Sequence, residues 1–247
     1  MVLVLWLIVL MSVIAAGHSR NVHVETRLAA RHVDTTTSRY IAEAAVQLTI
    51  LQLLSSDGVQ QFDVDGRPGR LEVLGHEATV SVRQATSLVD LNTASDRLLY
   101  TTFVAAGADE SSSRGLVDCI LDWRDTDNLT RLHGAEDEDY RAAGLAWTAR
   151  DNQFASIDEL RYVMGMSKSL FEIVSPHLTI YSGQSDVERG TGNGTYYVNV
   201  YVRGKNNSLV SAEAVVSLSG VGKELFEIIE WRETSRAAAA WNEDPMA

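Results

Sequence analysis

Met1–Gly17, MVLVLWLIVLMSVIAAG, and its continuation to Leu54, HSRNVHVETRLAARHVDTTTSRYIAEAAVQLTILQLL, decide how the fold is read. The first seventeen residues carry no charge, and the first ionisable side chains are His18 and Arg20. A bilayer core ~30 Å thick needs ~20 apolar residues of helix, with ~17 as the lower limit, so this run just suffices to span a membrane. Ala15-Ala16-Gly17 would suit a cleavable signal, but the run has no basic n-region and the helical pattern continues beyond it. Leu28, Val33, Tyr40, Ile41, Ala44, Leu48, Leu51 and Leu54 share one stripe at helical spacing, while Arg27, Arg31, Asp34, Arg39 and Glu43 point elsewhere. No proline or glycine interrupts the stretch between Gly17 and Asp57. At 1.5 Å per residue a helix from Met1 to Leu54 is ~80 Å long, so half of it must leave the bilayer. The expectation is a rod with residues 1–24 as a transmembrane half and an amphipathic half that packs on a globular head.

After Asp57-Gly58 the period changes to two. Gly69–Gly75 and Ala78–Arg83 read as strands. From Asn92 to about Pro176 the reading is helical, with Thr93 and Ser156 as N-caps and Ser156-Ile157-Asp158-Glu159 as a capping box. Strands return at Thr179–Tyr181, Thr195–Val202, Ala214–Leu218 and Leu225–Trp231, separated by Gly, Asn and Ser clusters. Two strands near 62–83 cannot form a stable sheet alone and need the later ones as partners. The fold class expected is therefore α+β: a long N-terminal helix packed on an antiparallel sheet, with an inserted all-helical domain. The expected boundaries are 25–90 and 178–236 for the α+β domain, 91–177 for the helical insertion and 237–247 for a flexible tail.

The 247 residues are 45% hydrophobic and 22% charged, and 21 Lys and Arg against 33 Asp and Glu leave a net charge of −12. A chain of this length buries a full core. Its single cysteine, Cys119, excludes an intrachain disulfide framework and a Cys-rich zinc site, and reads as a small buried apolar residue. The six histidines are scattered, and no P-loop, nucleophile elbow or dinucleotide fingerprint is present, so no active site is legible. The helical block holds a faint internal echo. Leu91–Leu98 followed by Gly107, and Phe154–Leu160 followed by Gly165, each read as cap, helix, glycine turn and second helix. Such helix-hairpin-helix units can hold phosphate on backbone N–H groups, which gives a rival reading as a membrane-tethered, competence-type DNA-binding module. Asp109 and Glu110 sit where phosphate would have to lie, and an acidic chain forfeits the counterion-release term.

Between Asp118 and Asp139 lie eight acids, Asp118, Asp122, Asp125, Asp127, Glu136, Asp137, Glu138 and Asp139, against Arg124 and Arg131. Asp122, Asp125 and Asp127 fall at i, i+3 and i+5 where a helix runs out into a loop, and Gly134–Asp139 supplies a second arm. Ca²⁺ accepts 6–8 oxygens from such groups, which makes calcium the natural candidate. The spacing is not that of an EF-hand. The other reading is a solvated acidic loop with the two arginines as partial counter-charges. Trp123, Tyr140 and Trp147 flank the cluster and favour an ordered site.

Taken together, the apolar N-terminal helix, Val89-Asp90-Leu91-Asn92-Thr93-Ala94, Leu121-Asp122-Trp123-Arg124-Asp125-Thr126-Asp127, Gly134-Ala135-Glu136-Asp137 with Tyr140, and Asn152-Gln153-Phe154 through Asp158-Glu159-Leu160 and Gly165 resemble the large minor pseudopilins of bacterial type II secretion, the general secretion pathway protein K family. The resemblance runs from the start to about Tyr181. It implies a pilin-like fold with an inserted helix-hairpin-helix or SAM-like domain. It implies a subunit capping the tip of the pseudopilus, needed for its assembly and for export across the outer membrane. The partners implied are other minor pseudopilins, the major pseudopilin and the inner-membrane secretion platform, with no nucleic acid and no small-molecule substrate. It further implies a single-pass inner-membrane anchor with a periplasmic head, methylation, no enzymatic activity, and structural calcium. The ion ligands carried over are Asp122, Asp125 and Asp127 on the first arm and Glu136, Asp137 and Asp139 on the second. Either Met1 is the mature first residue or the start is truncated; if Met1 is mature, Leu5 stands where most pilins carry a Glu that pairs with the adjacent subunit's terminal amine. A tip subunit has no such neighbour, and an unpaired buried carboxylate would cost several kcal/mol, so Leu5 fits that place.

Overall fold

The computed structural model describes residues 2–55, 63–187, 194–205, 208–218 and 225–237. Helix α1 runs unbroken from Val2 to Leu54. Its buried face is Ser38, Ile41, Ala42, Ala45, Val46, Thr49 and Ile50. This corrects the expected stripe: Ile41 is inside, whereas Leu28, Val33, Tyr40, Leu48 and Leu51 are exposed. Small side chains win the inner face because they let a helix approach a sheet closely, and a reading by hydrophobic bulk overlooks them. Among the described residues no helix is long and apolar enough to cross a membrane, and most side chains of residues 1–24 lie outside those described.

The sheet is antiparallel and five-stranded, in the order β1-β2-β5-β6-β7. Its strands are β1 (Asp65–Val73), β2 (His76–Gln84), β5 (Gly194–Arg203), β6 (Ser208–Leu218) and β7 (Phe226–Ala237). Strands β1 and β2 join through Leu74 and Gly75, both at positive φ, as a tight hairpin requires. Ala78, Val80 and Val82 on β2 alternate inward with Thr79 and Ser81, and Val198, Val200 and Val202 do the same on β5. Asp34 on α1 ties down the β5–β6 turn by accepting from Lys205 N at 2.8 Å and from the Ser208 hydroxyl at 2.8 Å. Because β2 lies beside β5, the segment between them leaves the sheet and returns to it.

The chain divides into two compact units, one built on α1 and most of the sheet, the other centred on residues 83–197. In the second unit a two-stranded parallel ribbon, β3 (Val89–Asp90) with β4 (Leu178–Thr179), closes the ends of the excursion. The strand expected at Thr179–Tyr181 is thus only two residues long and does not belong to the main sheet. The helices are α2 (Asp96–Ala105), α3 (Glu110–Arg124), α4 (Asp137–Ala142) and α5 (Lys168–Val174), with a 3-10 turn at Ile157–Tyr162. The block is therefore not helical throughout, since residues 125–136 and 143–156 carry no helix. Acidic side chains in the first of these stretches accept backbone N–H groups, which competes with helix formation. The α2 cap is Ser95, which accepts from Leu98 N, and Thr93 instead donates to the Gln184 carbonyl. Ser156 caps the 3-10 turn through Asp158 N, while Glu159 accepts from Ala155 N, so the expected capping box does not close.

Leu99, Phe103, Leu116, Ile120, Trp123, Tyr140, Phe154, Leu160 and Leu178 form the core of this unit. Trp123 lies 5.8 Å from Tyr140 and 6.2 Å from Phe154 between ring centroids. Cys119 is buried there, and burial pushes its thiol up to about 12, the signature of an inert packing residue. Residues outside the described set include 188–193, 219–224 and 238–247, and the expected flexible tail beyond Ala237 falls among them.

Candidate metal centre

The loop that leaves α3 is built on carboxylates that accept backbone N–H groups. Asp127 accepts from Leu129 N at 2.9 Å, Asp122 from Arg131 N at 3.2 Å and Asp118 from His133 N at 3.1 Å. These three bonds fold residues 125–134 back across the end of α3. Gly134 is required at the return, because a Cβ there would collide with the Asp122 carboxylate. Tyr140 anchors the second arm, its hydroxyl accepting from Met164 N at 3.0 Å.

This path brings ligand oxygens of Asp125, Asp127 and Glu136 within 4.8 Å of one another. Glu136 is only 3% exposed, and neither of its carboxylate oxygens has a hydrogen-bond partner. Asp125 Oδ1 is likewise buried without one. Burial, followed by the charges of Asp122, Asp125, Asp151 and Asp127, pushes the Glu136 carboxyl up to about 7. Buried acceptors that no donor reaches, both Glu136 oxygens and Asp125 Oδ1, fit a hard cation, which accepts oxygen ligands and holds them ionised.

The other expected ligands sit differently. Asp122, fully buried, is taken by Arg131, whose Nη1 also reaches Asp125 Oδ2 at 2.6 Å. Burial nonetheless raises the Asp122 pKa against the lowering effect of Arg131. Asp137 gives Oδ2 to Arg141 and keeps a buried, unpartnered Oδ1. Asp139 accepts from Glu136 N at 2.9 Å, which fixes the first turn of α4. Sequence reasoning missed Asp151. Its φ is +51°, its Oδ1 is buried without a partner, and burial with the charges of Asp137 and Asp125 raises its pKa. An isolated acid fifteen residues beyond Glu136 carries no spacing signal; only a positive φ at a non-glycine residue marks it. The two arginines also divide their roles. Arg124 donates to the Leu91 and Ala94 carbonyls at 2.6 and 2.9 Å, so of the two it is Arg131 that meets Asp122 and Asp125.

The remaining motif residues hold the unit together. Asp90, 1% exposed, accepts from Asn92 N, from the Ser182 hydroxyl and from Gly183 N, which joins the two ends of the excursion. Asn92 exchanges two hydrogen bonds with the Phe154 backbone, at 3.0 and 2.7 Å. At the first glycine turn, Gly107 adopts φ +93° and Asp109 caps α3. Hydrogen bonding to Ser112 holds the Asp109 carboxyl below its ordinary value, so the helix N-terminus already carries its own anion and offers no phosphate site.

A long helix on an antiparallel sheet, with a mainly helical unit that carries an acidic loop, defines an α+β class of protein. Residues 75–183 match the family model for protein K of the type II secretion system. A protein K from Escherichia coli K12 is 24% identical over 202 residues, 73% of this chain and 61% of that protein. Protein K from Dickeya chrysanthemi is 27% identical over 77 residues, covering 31% of this chain and 21% of the relative. That from Pectobacterium carotovorum is 28% identical over 72 residues, covering 29% and 22%. The chain therefore aligns with less than two thirds of each relative's length. A crystal structure of the GspK-GspI-GspJ complex from the type 2 secretion system of enterotoxigenic E. coli contains a chain of similar fold. Its TM-score is 0.64 at 12% identity, over 83% of this chain and 99% of that one. Over residues 75–183 the chain is thus similar to protein K of the type II secretion system, and its fold is similar to that of a chain in the GspK-GspI-GspJ complex.

Proposed function

We propose that this chain is a minor pseudopilin, a non-catalytic subunit that acts by its position at the tip of the type II secretion pseudopilus. The observation that carries the reading is the protein K match over residues 75–183, placed in a chain that begins with a 53-residue helix. The inner face of that helix is used by the head, while Tyr40, Leu48 and Leu51 leave an apolar stripe in solvent. A groove beside it is lined by Tyr40, Ala44, Leu48, Val73 and Leu74. Such a stripe suits the helices of neighbouring pseudopilins, and two further minor pseudopilins, like those joined in the GspK-GspI-GspJ complex, are the partners proposed. Residues 1–24 anchor the chain in the inner membrane with the head in the periplasm, and the subunit is drawn from the membrane as the filament assembles.

Calcium is the ion proposed for Asp125, Asp127 and Glu136, with Asp151 and Asp137 as nearby oxygens. Bound there it supplies positive charge to carboxylates that otherwise repel, and so stiffens the loops of the helical unit. Deleting the gene should stop export of type II substrates, the full chain should restore it, and a chain lacking residues 1–24 should not. Undiminished export in the deletion strain would overturn the proposal.

A further inference from the structure

The acidic loop already contains a cation of its own. Arg131 Nη1 lies between two carboxylates, 2.5 Å from Asp122 Oδ1 and 2.6 Å from Asp125 Oδ2. Asp122 is fully buried and Asp125 mostly so, and no other arginine or lysine is bonded to either among the described residues. Asp122, Asp125, Asp127 and Glu136 carry −4 when ionised, and Arg131 offsets one of these charges. It does so on one side of the cluster only, because Asp125 Oδ1 and both Glu136 oxygens, the latter on a residue 3% exposed, remain without partners.

We propose that Arg131 is the resident counter-cation of this site, and that it limits how far folding of the helical unit depends on calcium. The inference rests on the calcium reading above. Arg131 stabilises the carboxylates when no ion is bound, and the same positive charge opposes a divalent ion among those ligands. Linkage makes the two effects one quantity: whatever Arg131 contributes less in calcium than in its absence, calcium contributes more when Arg131 is gone. The position requires charge rather than shape, since a single nitrogen makes both contacts, and an ammonium at that point would serve in part.

The test uses the full chain in detergent micelles, comparing wild type with Arg131→Met, Arg131→Gln and Arg131→Lys. Thermal unfolding is followed in EDTA and in saturating calcium, and a calcium titration gives the binding midpoint. Met and Gln should lower the melting temperature in EDTA more than in calcium. Their calcium-induced rise should exceed that of wild type, and the midpoint should tighten by about tenfold, the order that removing one unit charge a few ångströms from a dication gives in a water-like dielectric. Lys should keep an increment close to that of wild type. Equal losses in both media would mark a packing role and overturn the inference, and so would a weakened midpoint or failure of both neutral variants to fold in calcium. A wild type that shows no calcium increment would instead overturn the calcium reading itself.

Discussion

Replacing Glu136 with Gln separates the two states of the acidic site. In the ion-free protein the Glu136 carboxyl is pushed up to about 7 from an ordinary 4.5, with burial as the main cause. A raised carboxyl pKa means that the folded state holds the proton more tightly than the unfolded chain does. Stability from this group is therefore fully present below pH 4.5 and is lost as pH rises through about 7. Above pH 7 the ionised group costs about 3 kcal/mol, from ~2.5 pKa units at ~1.36 kcal/mol each. Gln keeps the shape and removes the charge. In EDTA at pH 8, Glu136→Gln should be more stable than wild type by up to about 3 kcal/mol, roughly 6–12 °C in melting temperature. In saturating calcium the order should reverse, because the neutral amide is a weaker ligand than a carboxylate. Differential scanning calorimetry in the two media at pH 5 and pH 8 reads both effects. The reasoning fails if the variant is less stable than wild type in EDTA at pH 8, or if calcium stabilises the two proteins equally.

Further substitutions address the supports of the site. Gly134→Ala drives a Cβ into the Asp122 carboxylate and should destabilise the helical unit by about 1–3 kcal/mol, lowering its melting temperature; an unchanged value would show that the loop is not held as described. Asn92→Ala leaves the Phe154 N–H and carbonyl unpaired beside a buried ring and should cost about 2 kcal/mol in urea unfolding, whereas a loss below 0.5 kcal/mol would mean that the pair is dispensable. Trp123→Ala opens a cavity between Tyr140 and Phe154 and should cost about 3–5 kcal/mol by the same measurement.

The continuity of α1 was legible because nothing in residues 18–56 breaks a helix, and the β2 and β5 strands were legible from clean alternation. The inner face of α1 was not, since Ser38, Ala42, Ala45 and Thr49 are chosen for closeness of approach rather than hydrophobicity. Helical periodicity also overran the loops at 125–136 and 143–156, where carboxylate and hydroxyl groups bond the backbone instead. At the acidic site, composition alone marked the cluster and the junction of α3 with its loop. Composition cannot separate a carboxylate oxygen left without a partner from one already paired, so Glu136, with both oxygens unpartnered, looked equivalent to Asp122 and Asp139. It could not tell Arg124, turned to carbonyls, from Arg131, turned to carboxylates, because that depends on how the loop after α3 carries Arg131 back over Asp122. Asp151 belongs to the site through a left-handed backbone turn that no local pattern announces.

That this molecule works as one part of a helical assembly is tested most directly by affinity purification of the full-length chain from detergent-solubilised membranes of its host. The account predicts that two other short proteins with apolar N-terminal helices elute with it in equal amounts, and that Tyr40→Asp with Leu48→Asp on the exposed stripe of α1 releases them while the head stays folded. A chain that elutes alone, or partners that remain bound to the doubly substituted helix, would contradict it.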